Sequence, residues 1–153
     1  MYVRIITVLI LLAGLIGFAH YAGSQPITKQ VTIPDSDRFI PLALTIHVGD
    51  SVTWTNNDTD DHTVVAVQSF TNTDNRTVNH VILGTDNNGG KPGVFTLKFM
   101  QPGRFLYRCR FHSSIDAQHQ PIAPGPKGGI QDAKGNFGTP MMGVITVLEN
   151  EDE

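Results

Sequence analysis

The sequence predicts an all-β protein, an antiparallel β-sandwich preceded by an N-terminal apolar leader. Three observations carry that prediction. Short segments such as Leu42 to Val48, Val52 to Thr55 and Val94 to Phe99 alternate apolar and polar residues, the period-two signature of half-buried strands. Dense turn chemistry separates them: Gly49-Asp50, Asn56 to Asp61, Thr85 to Gly93 and Gln101-Pro102-Gly103. No segment after the leader repeats apolar residues at a helical period, and there is no internal repeat.

Residues 1–24 read as a targeting segment rather than as fold. Arg4 precedes an apolar run from Ile5 to Ala19, and Ala22-Gly23-Ser24 supplies small residues for cleavage before Gln25. The run is slightly short of the roughly 17–25 residues that span a bilayer. It is expected to be a signal peptide or, if uncleaved, an N-terminal membrane anchor tethering the chain through residues 5–23. Residues 25–38 form a polar linker that contains a first strand at Val31-Thr32-Ile33. Residues 39–149 form one domain, and residues 150–153 an acidic tail.

Within the domain, Leu42 to Val48 puts His47 on the polar phase, facing solvent. Val52 to Thr55 puts Trp54 on the inward phase as a core anchor. His62 to Val67 resumes as a strand after the turn cluster. Val78 to Leu83 reads as either a short strand or an apolar loop, with His80 at the surface. Val94 to Phe99 places Phe95, Leu97 and Phe99 on one face. In the strand after Gly103, Phe105, Tyr107 and Cys109 share the inward phase. Val144 to Leu148 closes the domain.

The chain has 153 residues and a formal net charge of −3, with its positive residues scattered, so nucleic acid is not an expected partner. Cys109 is the single cysteine and cannot form a disulfide within the chain. Stability must therefore come from packing, and an exported lone thiol needs burial or a metal to escape oxidation.

The chemistry-bearing residues gather around Tyr107-Arg108-Cys109-Arg110-Phe111-His112 and Met141-Met142-Gly143. An imidazole follows the thiol by three residues, and a thioether precedes the last strand. A second imidazole, His62, stands at the end of the polar turn. Loops collect at the ends of a sandwich, so these segments can meet although far apart in sequence. One thiolate, two imidazoles and a weak thioether are the ligand set of a blue-copper electron-transfer site. Zinc fits poorly, having little use for a thioether.

Three segments carry a family resemblance: Val52 to Asp58 with His62-Thr63-Val64, Gln101 to His112, and Met141 to Val147. Together, in this order, they resemble the signature segments of the plastocyanin/azurin family of cupredoxins, over about Leu42 to Leu148. The resemblance implies a Greek-key sandwich holding one type 1 copper ion. It carries the ligand roles onto His62, Cys109, His112 and Met141. Met141 rather than Met142 matches the family spacing of Met, one residue, then Gly, here Gly143. It also implies that His112 is the electron port, with His62 more buried, and that Asp58, Asp60 and Asp61 lie near the copper end. There they would either steer a basic partner or simply serve the turn.

The chain departs from that family in three places. A Gly- and Pro-rich polar insertion, residues 113–139, parts His112 from Met141; it reads equally as a floppy excursion or as a flap over the copper end. It carries His119, which could convert the site into a red-copper variant. Thr63 stands where plastocyanins often carry Asn, and Arg108 where they often carry Tyr. The expected function is an exported blue-copper electron carrier, periplasmic or on the outer face of the cytoplasmic membrane. Its redox partners would be a cytochrome, a membrane complex or a reductase. A copper carrier or storage protein is the alternative, though four methionines make no exposed cluster. The chain is not expected to be an enzyme, because six histidines leave too few for a second copper centre.

Overall fold

The computed structural model describes residues 25–67 and 78–150. The leader, most of the polar stretch from Ser69 to Asn79 and residues 151–153 of the acidic tail lie outside the described residues. No helix among the described residues is long and apolar enough to cross a membrane.

Among the described residues, eight strands build two sheets. β1 (Thr28–Ile33), β3 (Ser51–Asn56) and β6 (Gly93–Lys98) form one, in the order β1-β3-β6. The other is built from β2 (Ala43–His47), β4 (His62–Ala66), β5 (Asn79–Ile82), β7 (Gly103–Arg108) and β10 (Met142–Leu148), in the order β2-β10-β7-β4-β5. The chain crosses between layers at β1–β2, β2–β3, β3–β4, β5–β6 and β6–β7, the back-and-forth winding of a Greek-key sandwich. Most neighbours are antiparallel, yet β1 runs parallel to β3 and β10 parallel to β2. A parallel pair needs a long crossover. For β1 and β3 that crossover is β2, which lies in the opposite layer, so both sheets are mixed.

Period-two patterning decides which side chains meet between the layers. Val52, Trp54 and Asn56 of β3 point inward, as do Gly143, Ile145 and Val147 of β10. Trp54 packs edge-on against Tyr107, with centroids 5.4 Å apart, and stacks on Phe95 at 5.5 Å. Phe39 meets Tyr107 edge-on as well, at 4.8 Å. Such aromatic pairs add modestly to the area they bury. This aromatic row ends two residues before Cys109, so the rigid centre of the sandwich leads directly to the thiol. His47 is exposed, as its phase predicts. The ambiguous Val78–Leu83 segment contains a true strand, β5, paired with β4, and exposed His80 stacks on Phe95 at 4.1 Å.

The insertion is a folded excursion. Its first part is a hairpin of β8 (Ser114–Ile115) and β9 (Pro121–Ile122). Asp116 Oδ1 closes the hairpin by accepting the N–H groups of Gln118 (2.9 Å) and Gln120 (2.8 Å). Further on, Ile130 bridges Thr139 and is buried with the core residues. Arg38 Nη2 donates to Gln131 O at 2.7 Å, fastening the segment to the N-terminal part of the domain.

Gly143 is the position in β10 where a side chain cannot fit. A Cβ there would run into the ring carbon and hydroxyl of Tyr107, itself 1% exposed. Gly143→Ala should destabilise the fold by about 1–3 kcal/mol, the usual cost of over-packing. Denaturant unfolding measures this; an unshifted midpoint would mean that the Tyr107 ring can move aside.

Candidate metal centre

Each candidate residue is placed by local hydrogen bonding. Asn56, at the end of β3, is fully buried and staples the following turn. Its Nδ2 donates to Asp60 O (2.8 Å) and Ile82 O (3.1 Å), and its Oδ1 accepts from Asp58 N at 3.0 Å. That staple starts β4 with His62 pointing inward. On β7 the inward phase of Phe105 and Tyr107 carries on to Cys109. Ser113 Oγ donates to Cys109 O at 2.5 Å, and Arg108 Nη1 donates to Ser113 O at 2.8 Å, which closes the turn from Cys109 to Ser113.

The two ends of the insertion are held together by backbone bonds. Cys109 N donates to Met141 O at 3.0 Å, and Met141 N donates to His112 O at 3.2 Å. Met141 is fully buried, whereas Met142, one residue out of phase, is partly exposed. The alternation along β10 thus puts the Met141 thioether on the same side as Gly143 and Ile145.

His62 Nδ1 and His112 Nδ1 each lie 3.7 Å from Cys109 Sγ, and the donor atoms of the three residues are all within 4.8 Å of one another. Metal–thiolate and metal–imidazole bonds of about 2.3 and 2.0 Å, opened to a trigonal angle, separate sulfur from nitrogen by about 3.7 Å. The observed spacing is therefore that of a trigonal His₂Cys set, and with Met141 beside it the group is suited to a type 1 copper site. His62 and Cys109 are inaccessible to solvent, while the His112 side chain is 23% exposed. His119 is exposed on the β8–β9 turn and belongs to neither metal-capable cluster of the described residues.

Thr63 takes a position between the ligand segments. Its Oγ1 accepts Arg110 N at 2.9 Å and lies 3.7 Å from Cys109 Sγ, to which it donates. A hydroxyl can thus join the two loops and touch the sulfur, at the position where the family resemblance calls for an Asn side chain.

Two carboxylates face the outer edges of the imidazoles. Asp58 Oδ2 lies 3.0 Å from His62 Nε2, and Asp58 is only 5% exposed. Asp37 Oδ1 lies 3.5 Å from His62 Nε2 and 3.8 Å from His112 Nε2. In the sequence, residues 25–38 read as linker, and Asp37 is missed altogether. The only local hint is its setting in Pro34-Asp35-Ser36-Asp37, a turn sequence; Asp37 adopts a φ of 57° there. The other acids serve the turns: Asp61 accepts Gly84 N at 2.7 Å, and Asp60 is exposed.

The electrostatics favour a ready thiolate. Burial alone would push the Cys109 thiol up. Hydrogen bonds from the His112 and His62 rings and from the Thr63 and Phe111 backbone outweigh it and bring the thiol down to about 5. Burial would lower His62, but its contacts with Cys109 and Asp58 raise it; His112 is raised chiefly by Cys109. Burial acts to raise Asp58, yet the His62 ring and the Thr59 and Asp60 N–H groups leave it lowered. Asp37 is raised, by burial and by the like charge of Asp58 against the pull of the two histidines.

No family model matches this chain, and no curated relative matches it. Solved structures do. A Cu(I) form of an amicyanin methionine-to-glutamine mutant is 18% identical, with 79% of this chain and 82% of that one covered and a TM-score of 0.50. An oxidized methionine-to-leucine mutant of amicyanin is also 18% identical, covering 78% of this chain and 81% of that one at a TM-score of 0.49. A purple cupredoxin from Nitrosopumilus maritimus is 23% identical over 78% of this chain and 99% of its own, at a TM-score of 0.46. The first likeness shows the fold, that of a cupredoxin. The copper chemistry rests on the donors of this chain.

In metal-free protein the ultraviolet absorbance of the Cys109 thiolate should persist down to about pH 5 and disappear below it. A free thiol would instead gain that absorbance near its usual ~8.5. Titration of the apoprotein distinguishes the two, and an ordinary thiol would mean that the imidazoles do not hold the sulfur as described.

Proposed function

We propose that this protein is an exported blue-copper electron carrier in which His62, Cys109, His112 and Met141 hold one metal ion. The observation that carries the reading is the trigonal spacing of one buried sulfur and two imidazole nitrogens, 3.7 Å from sulfur to each nitrogen. Copper bound there would supply a reversible one-electron couple, gaining an electron from a donor protein and losing it to an acceptor with no bond made or broken.

The protein's own residues favour that task. The thiolate and thioether suit Cu(I) and the imidazoles suit either state. All four sit on segments locked by backbone and Ser113, Asn56 and Thr63 hydrogen bonds, so the donor set has little room to rearrange. His112 is the partly exposed ligand and would be the point of electron exchange, beside the exposed Phe111. The burial of Cys109, His62 and Met141 argues against a carrier that hands copper on, since such a site needs accessible donors.

The leader supports work outside the cytoplasmic membrane, in the periplasm or on its outer face. The partners would be redox proteins such as a cytochrome, a membrane complex or a reductase.

Visible and EPR spectra of the copper-loaded protein test the reading: an intense blue charge-transfer band is expected. Cys109→Ser should abolish it almost completely, and a variant that stays blue would exclude Cys109 as ligand. Met141→Leu should keep the copper and raise the potential, because a weak thioether donor would be lost while the thiolate and both imidazoles remained. His119→Ala should leave the spectrum unchanged; a colour change there would bring back the three-nitrogen site.

A further inference from the structure

Asp58 and Asp37 are not turn residues only. Asp58 divides its two oxygens between two tasks. Oδ1 accepts from Thr59 N (2.6 Å) and Thr59 Oγ1 (3.2 Å) and shapes the turn, while Oδ2 lies 3.0 Å from His62 Nε2. An ionised carboxylate can only accept, so a ring hydrogen of His62 sits on Nε2. Its Nδ1 is left facing Cys109, where it donates to the thiolate in metal-free protein and would be the metal donor once a metal replaced that hydrogen. Asp37 adds a second carboxylate, 3.5 Å from the same Nε2 and 3.8 Å from that of His112. The second distance is too long for a hydrogen bond, so Asp37 acts on His112 through charge. The fold thus places two acids behind His62 and one of them, Asp37, also near His112, and Asp58 is buried.

We propose that Asp58, with Asp37 in support, is a positioning residue that sets the redox balance of the copper site through the histidines. It fixes the His62 tautomer and orientation, and its charge makes the imidazole a stronger donor. Carboxylates behind metal-bound histidines do this generally, and their loss costs about 10–100-fold in metal affinity. Negative charge there stabilises the more highly charged oxidised ion more than the reduced one. The acids therefore hold the potential below what the same four donors would give alone. This inference rests on the copper reading above.

The test is a redox titration of the full copper-loaded chain, wild type against Asp58→Asn and Asp37→Asn. The Asp58→Asn amide keeps an oxygen for the Thr59 contacts and loses the acceptor facing His62, so the turn is retained. Asp58→Asn should move the Cu(II)/Cu(I) affinity ratio about tenfold toward Cu(I), equivalent to about 59 mV for one electron. Asp37→Asn should move it the same way by less, because Asp37 is farther and partly exposed. In metal-free protein, NMR should show a slowly exchanging His62 Nε2 proton that Asp58→Asn removes. Blue variants with unmoved or lowered potentials would overturn this inference alone. So would uptake of a second metal ion lost in both variants, since Nε2 would then be a ligand and not a hydrogen-bond donor. A wild type that binds no copper would overturn the reading above and this inference with it.

Discussion

Two backbone hydrogen bonds hold the rest of this architecture in place: Cys109 N to Met141 O and Met141 N to His112 O. They close the insertion at its base, so everything from Ser113 to Pro140 leaves and returns through one point. The donors on either side of that point keep a fixed relation whatever the excursion does. Long loops are tolerated once their ends are held, since the entropic cost of closure grows only logarithmically with length. Here the ends are held by β7 and β10, antiparallel neighbours that register Met142 with Arg108 and Gly143 with Tyr107. The absent side chain at Gly143 lets Tyr107 pack across β10, which ties the aromatic core to the same junction.

Around that junction the structure solves a charge problem. A thiolate in a dry interior is costly unless it is paired. Cys109 is paired with two imidazoles and with hydrogen-bond donors from Thr63 and Phe111, and His62 is paired in turn with Asp58. The polar groups form a chain from Asp58 through His62 to the sulfur and on to His112. Each member satisfies the next, which is the condition under which a buried polar network rigidifies a site instead of weakening it. Such a network is also a good host for a metal that changes oxidation state, because its donors are already where the ion requires them.

The departures from the plastocyanin-like pattern are compensated locally. Thr63 is shorter than the Asn of that pattern, yet its hydroxyl reaches both Arg110 N and the sulfur. Arg108 takes the place of a tyrosine and turns its guanidinium onto Ser113 O, bracing the ligand turn. The insertion is an ordered part of the fold. It has its own hairpin, buries Ile130 with the core, and is fastened by Arg38 through Gln131.

The alternation of β3, β6, β7 and β10, the inward phase of Cys109 and the donor types at His62, His112 and Met141 were all legible in the sequence. Each follows from local rules: strand periodicity, turn chemistry and the affinity of given side chains for a metal. The preference for Met141 over Met142 came from the family spacing of Met, one residue, then Gly; the structure adds that one residue of shift reverses the face, burying Met141 and not Met142. What the sequence left open, or read as antiparallel throughout where two strand pairs are parallel, depended on contacts between distant segments. The parallel pairing of β1 with β3 and of β2 with β10, the ordering of the insertion and the strand character of β5 are set by neighbours that no local pattern names. Asp37 is the sharpest case: it reads as one acid in a turn before the domain. Only the return of that turn against His62 and His112 makes it part of the site, since a carboxylate's influence depends on distance in space and not along the chain.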